Sequence, residues 1–127
     1  MVKWTSLLIL TIVLLSACSR SGQLEDDRSA PVITLQSPAE NAEFPVGSTA
    51  AISGQLSDEN RIVQVHLHIS SLETGQLLMD IHRYPGSSAY DLDENFQVPA
   101  TGEYRIQAIA RDNAGNEGRQ TITICGI

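Results

Sequence analysis

His66, His68 and His82 are the chain's three histidines, and no other residues in it have more chemistry to offer. They fall on two neighbouring runs of alternating residues joined by Glu73-Thr74-Gly75. A three-residue loop ending in glycine is the signature of a hairpin whose type I turn is followed by a left-handed residue. With that loop Leu72 pairs with Gln76, Leu67 faces Ile81 and Ile69 faces Met79, so the apolar side chains share one face. On the other face His66 meets His82 and His68 meets Asp80. A slip of one residue would set Leu67 against His82 and mix the faces, which the hydrophobic pattern disfavours. Directly opposed Cβ atoms lie about 4.5–5.5 Å apart, and next-but-one neighbours along a strand about 7 Å. On that grid three imidazoles and the Asp80 carboxylate reach a single divalent ion, with zinc or copper suited to such ligands. The plainer alternative is a solvated polar face on which Asp80 simply pairs with His68.

Other residues invite chemistry less directly. Asp91-x-Asp93-x-Asn95 begins like an EF-hand calcium loop, but the sixth and twelfth places hold Phe96 and Gly102 where glycine and glutamate belong. Alternation accounts for it more simply, with Asp91, Asp93 and Asn95 pointing out while Leu92 and Phe96 point in. Asp58-Glu59-Asn60 and Asp112-Asn113-Ala114-Gly115-Asn116 read as turns, and calcium between modules is the lesser alternative there. Tyr84 and Tyr90 flank the loop Pro85–Ala89 and are the aromatic candidates for gripping a glycan, or else for pinning that loop to a sheet. Cys125 follows the inward Ile122 and Ile124, so alternation turns its thiol outward, either tucked beneath the last residues or paired with a partner. No G-x-S-x-G elbow, phosphate-binding loop or H-E-x-x-H spacing occurs, and three histidines in one hairpin lack the pocket a catalytic triad needs; the expectation is that the chain is not an enzyme.

The elements that carry these residues are short. From Pro31 onward the chain shows period-two alternation broken by Gly, Pro, Asn and Asp clusters, with no convincing amphipathic helix. Strands are predicted at Val32–Leu35, Thr49–Leu56, Ile62–Ile69, Gln76–Tyr84, Leu92–Val98, Glu103–Arg111 and Gln120–Cys125. Ala50, Ile52 and Leu56 face inward on the second, Val63, Val65, Leu67 and Ile69 on the third, and Leu77, Met79 and Ile81 on the fourth. Leu92–Val98 alternates weakly. Phe44, Phe96 and Tyr104 are the bulky core fillers. Strands of this number and spacing predict an all-β, seven-stranded sandwich over 31–127.

The N-terminus reads as an address. Lys3 precedes the apolar run Leu7–Leu15, which is too short for a membrane span of roughly 20 residues and fits the core of a secretory signal peptide. Leu15-Ser16-Ala17-Cys18 resembles the lipobox of bacterial lipoproteins. The resemblance implies cleavage after residue 17, lipid on Cys18 and a membrane partner reached through that lipid. Because Ser19, not aspartate, follows Cys18, it also implies the outer membrane, with exposure to periplasm or medium left open. Residues 18–30 then form a lipidated, flexible tether in which Glu25-Asp26-Asp27 is a solvated charge run. Loss of 1–17 removes the single lysine and leaves seven arginines against fifteen acids, a formal −8 in place of the −7 of the full chain. Such a surface excludes nucleic acid as a partner.

Pro31-Val-Ile, Ser37-Pro38, Gly47, Ile52-Ser-Gly54, Ser57-Asp58, Gly102-Glu-Tyr104 and Asp112-Asn-Ala-Gly-Asn116 together resemble bacterial Ig-like domains, over nearly all of 31–124. Within that group the chain looks most like small Ig-like lipoproteins of Gram-negative bacteria that have no assigned activity. The resemblance implies an Ig-like or fibronectin III-like sandwich, and it puts Tyr104 at the tyrosine corner, with its hydroxyl on nearby backbone. The expected function is a non-catalytic binding or structural module of the cell envelope, with an envelope protein or a glycan as partner. The alternatives are a zinc- or copper-binding lipoprotein using His66, His68, His82 and Asp80, and a weak glycan-binding accessory using Tyr84 and Tyr90.

Overall fold

Period-two alternation of β-branched residues governs the chain from Val32, and it builds strands only. The structure, a computed structural model, describes residues 29–127. Within them β1 (Val32–Ser37), β2 (Ala42–Phe44), β3 (Thr49–Ser71), β4 (Leu77–Arg83), β5 (Ser87–Gln97), β6 (Gly102–Asp112) and β7 (Glu117–Gly126) follow one another. The signal peptide, Cys18 and nearly all of the tether lie outside the described residues.

The 23-residue β3 organises the fold. Its first half, Thr49–Ser57, is flanked by β1 and β5, both antiparallel to it. Its second half, Ile62–Ser71, is flanked by β4 and β6, again antiparallel. β7 continues the second set beside β6, and β2 closes it by pairing in parallel with β7. The seven strands thus form one sheet that curls over on itself into two faces, the Ig-like sandwich expected. Between the faces lies a single core in which Ile52, Leu56, Leu67, Ile69, Ile106 and Ile124 are fully buried. Phe96 of β5 meets Tyr104 of β6 edge-to-face, ring centroids 5.5 Å apart, although their strands are not hydrogen-bonded neighbours.

The count of seven agrees with the sequence, but its composition differs. The second and third predicted strands are one strand here, because Asp58–Arg61 stays extended through the bend between the halves, where the Asp58 carboxylate accepts from the Asn60 N–H at 2.7 Å. The seventh element is β2, whose three residues sit in a stretch dense with turn formers. β5 begins at Ser87 inside the predicted Pro85–Ala89 loop, with Ser87 opposite Ile62 and Ala89 opposite Ser57.

Two bulges overturn individual inward positions. The β3–β6 register shifts between Ile62 and Gln64, so Ile62 is fully buried and Val63 only half-buried. The β3–β4 register shifts between Ile69 and Ser70, so Leu78 packs on the core and Leu77 is exposed. The hairpin loop is correspondingly one residue longer than predicted. Ser71 and Gln76 close it, Gly75 bonds back to the Ser71 carbonyl, and Gly75 sits at φ 73°, where glycine alone is free of strain.

Three further contacts fasten the sandwich. The Tyr104 hydroxyl donates to the Ala100 carbonyl at 2.7 Å and accepts from the Ala100 N–H at 3.2 Å, which is the tyrosine corner. Arg83 of β4 pairs with Glu94 of β5 at 2.7 Å across the edge between the two faces. Glu94 occupies an inward position of β5, which explains why that run alternates weakly. Gly118 passes so close to the start of β1 that a Cβ there would lie 2.0 Å from the Pro31 carbonyl oxygen.

Candidate functional site

β3 and β4 hold the four predicted ligands in the predicted register. His66 pairs with His82 and His68 with Asp80, while Leu67 and Ile69 pair with Ile81 and Met79 on the core side. The extra loop residue and the bulge at Leu78 offset one another, so pairing beyond Ile69 is unchanged. The fully buried Leu67 and Ile69 pin this register, because a slip would bring imidazoles into the core.

On the outer face the side chains touch. Asp80 Oδ1 lies 3.0 Å from His82 Nε2 and 3.2 Å from His68 Nε2, so one carboxylate oxygen engages two imidazoles. The His66 ring stands edge-on to that of His82 with centroids 3.8 Å apart, and 5.3 Å from that of His68. His66 Nε2 also bonds the Gln64 side-chain amide at 2.7 Å. Burial, followed by the charges that His82 and His68 would carry, holds the His66 pKa below its ordinary value. The hydrogen bond from His82, helped by the charges of the neighbouring histidines, holds the Asp80 carboxyl below the usual carboxylate range. As the side chains stand, no group of three or more His, Cys, Asp or Glu donors among the described residues is arranged to hold a metal ion.

The neighbours of this cluster come from three strands. Gln64 and Arg111 lie against His66 together with Ile109 and Glu117, and Glu117 carries ion pairs to Arg111 at 3.1 Å and to Arg119. Those two arginines hold the Glu117 carboxyl below its ordinary range. Gln64 had a sequence signal, being two residues before His66 and so on the same face of the strand. Arg111 and Glu117 had none, since they come from β6 and β7.

The remaining candidate residues are dispersed. Tyr84 is exposed, whereas Tyr90 is half-buried with its body packed on the core. Asp91, Asp93 and Asn95 alternate outward along β5 opposite Gln55, Ser53 and Ala51, as regular strand residues. The buried Asp112 carboxylate accepts from the N–H groups of Ala114 and Asn116 and from the Asn116 amide, as the turn reading requires. Cys125 is half-buried at the end of β7, its Sγ 3.7 Å from the Gly126 carbonyl. Cys18 lies outside the described residues.

Residues 16–125 match a family model described as a domain of unknown function, DUF4625. No curated protein matches the chain. Among solved structures, the fibronectin(III)-like modules of Clostridium thermocellum CbhA superpose with a TM-score of 0.52 at 17% identity, over 75% of this chain and 94% of that one. The PKD domain of an M14-like peptidase from Thermoplasmatales archaeon SCGC AB-540-F20 gives 0.51 at 18% identity, over 76% and 92%. A variant of the superoxide reductase (neelaredoxin) from Ignicoccus hospitalis gives 0.55 at 11% identity, over 77% and 80%. At these identities the likeness is one of fold, and a shared fold carries no shared chemistry.

Proposed function

The chain belongs to the DUF4625 family, and from that premise we propose that it is a non-catalytic, Ig-like binding or structural module held at the cell envelope by lipid on Cys18. One observation carries the reading: every described element is a strand around one apolar core, so what meets a partner is a sheet face or a loop. The groups with catalytic potential, the three histidines and Asp80, stand on an open face and engage one another. Fibronectin(III)-like and PKD modules have the same fold, which supports a modular role. The Leu15-Ser16-Ala17-Cys18 sequence and the polar stretch after it supply the anchor and the tether, with Ser19 directing the protein to the outer membrane. Lipid then makes the membrane one partner, and an envelope protein or a glycan is the other.

Fractionation of cells making the native precursor and its Cys18→Ala form tests the anchor. The native chain is expected in the outer-membrane fraction, with globomycin causing the precursor to accumulate, and the variant is expected to leave the membrane. Membrane association that survives Cys18→Ala, together with processing insensitive to globomycin, would refute it.

A further inference from the structure

We infer that the outer face of β3 and β4 binds one divalent transition-metal ion of zinc or copper chemistry, through His68 Nε2, His82 Nε2 and Asp80 Oδ1, with the His66 imidazole as the fourth ligand. The inference concerns the described strands alone and holds whether or not Cys18 is acylated.

The spacing of the donors is the main argument. Ligand atoms about 2.0–2.1 Å from a tetrahedral ion are separated from one another by about 3.3 Å. Asp80 Oδ1 already lies 3.0 Å from one imidazole nitrogen and 3.2 Å from another, so two edges of such a tetrahedron are nearly formed. The backbone beneath these donors is fixed by the β-ladder and by the buried Leu67 and Ile69, so only side-chain rotation is needed to adjust them. His66 sits against His82 and has one engagement to give up, its bond to the Gln64 amide. The ion takes the place between Asp80 Oδ1 and the two Nε2 atoms, which coordinate it through their lone pairs. Each of those rings keeps its single proton by carrying it on Nδ1, and the His66 ring turns from Gln64 to complete the set. This movement reconciles the proposal with side chains that, as they stand, do not surround an ion.

Metal ligation needs neutral imidazole and ionised carboxylate, so binding weakens in acid. Arg111 is the cation facing His66 from β6 and Glu117 the anion facing it from β7, and these two are paired with each other. Imidazole and carboxylate donors together suit zinc and copper better than calcium or magnesium, which prefer oxygen alone.

The test is calorimetric titration of the full chain in detergent, stripped with chelator, with zinc chloride and with copper chloride at pH 7.5. One ion per chain is expected, binding at least tenfold more weakly to His82→Ala, His68→Gln and Asp80→Asn, and at least tenfold more weakly to the native chain at pH 5.5. Cobalt(II) should give the intense visible absorption of a tetrahedral site with the native chain and lose it with the His66→Ala/His82→Ala double variant. The substituted residues lie on the outer face, and circular dichroism checks that each variant is folded. Cys125 is present in every variant, so binding through its thiol would not distinguish them. Equal affinity of the native chain and the double variant for both metals would overturn the proposal, as would failure of the native chain to bind either.

Discussion

Replacing Tyr104 by Phe removes one oxygen atom and keeps the ring that packs on Phe96. The hydroxyl makes two bonds to the Ala100 backbone, donating to its carbonyl at 2.7 Å and accepting from its N–H at 3.2 Å. A neutral hydrogen bond contributes about 1 kcal/mol net, so their joint loss sets an upper figure of about 2 kcal/mol. Ala100 is itself exposed, and water can take over part of that bonding, which brings the expected cost to about 1–1.5 kcal/mol. In a domain of about 100 residues each kcal/mol lowers Tm by about 4–8 °C. Equilibrium urea unfolding followed by circular dichroism is the assay. The buried apolar surface is conserved, so the slope should stay constant while the midpoint falls by roughly 0.5–1 M. A midpoint within about 0.1 M of the native value would show that the corner bonds add nothing to stability, and the reasoning from their geometry would fail.

Two further outcomes follow from the same structure. Leu78→Asp should cost about 1.5–3 kcal/mol and Leu77→Asp less than about 0.5 kcal/mol, because the bulge puts Leu78 on the core and Leu77 in solvent; denaturation midpoints in the opposite order would remove the bulge. Stability should fall as the medium becomes acidic. The His66 pKa is depressed in the folded chain, so below its ordinary value of 6.5 the unfolded chain takes up more protons and is favoured. Asp80 and Glu117, also depressed, add to the loss as the pH passes down through the carboxylate range. Urea midpoints at pH 7.5, 6 and 5 should decline in that order, with a shallower decline from pH 7.5 to 6 in His66→Gln, and a native midpoint that rises on acidification contradicts the assignment.

The pairing of His66 with His82 and of His68 with Asp80 was legible because a period of two and the need to bury Leu67 and Ile69 hold it, even though the loop from which it was counted is one residue longer than expected and a bulge makes up the difference. The tyrosine corner was legible as well, since Gly102-Glu-Tyr104 sits at a recognisable strand start. What escaped were the places where the period breaks. At Val63 and at Leu78 an extra residue is absorbed by a bulge, so alternation that is right on one side of the bulge misplaces the side chain on the other, Val63 in one run and Leu77 in the other. At Asp58–Arg61 a cluster of turn-forming residues stays extended, held from outside by the bond of the Asn113 N–H to the Arg61 carbonyl. The opposition of Asp80 to His68 follows from register, whereas its second contact, with His82 two residues along its own strand, depends on rotamers. The Arg83–Glu94 clip joins strands that are not ladder neighbours and leaves no periodic trace.

A single strand common to both faces has a mechanical consequence. In a sandwich whose layers are joined only by loops, the layers can shear by sliding side chains past one another. Here any such displacement would have to break the ladder that β3 makes with four partners. A load arriving through β1 passes across the β1–β3 ladder and then along the β3 backbone to the histidine-bearing half, as along the spar of a wing.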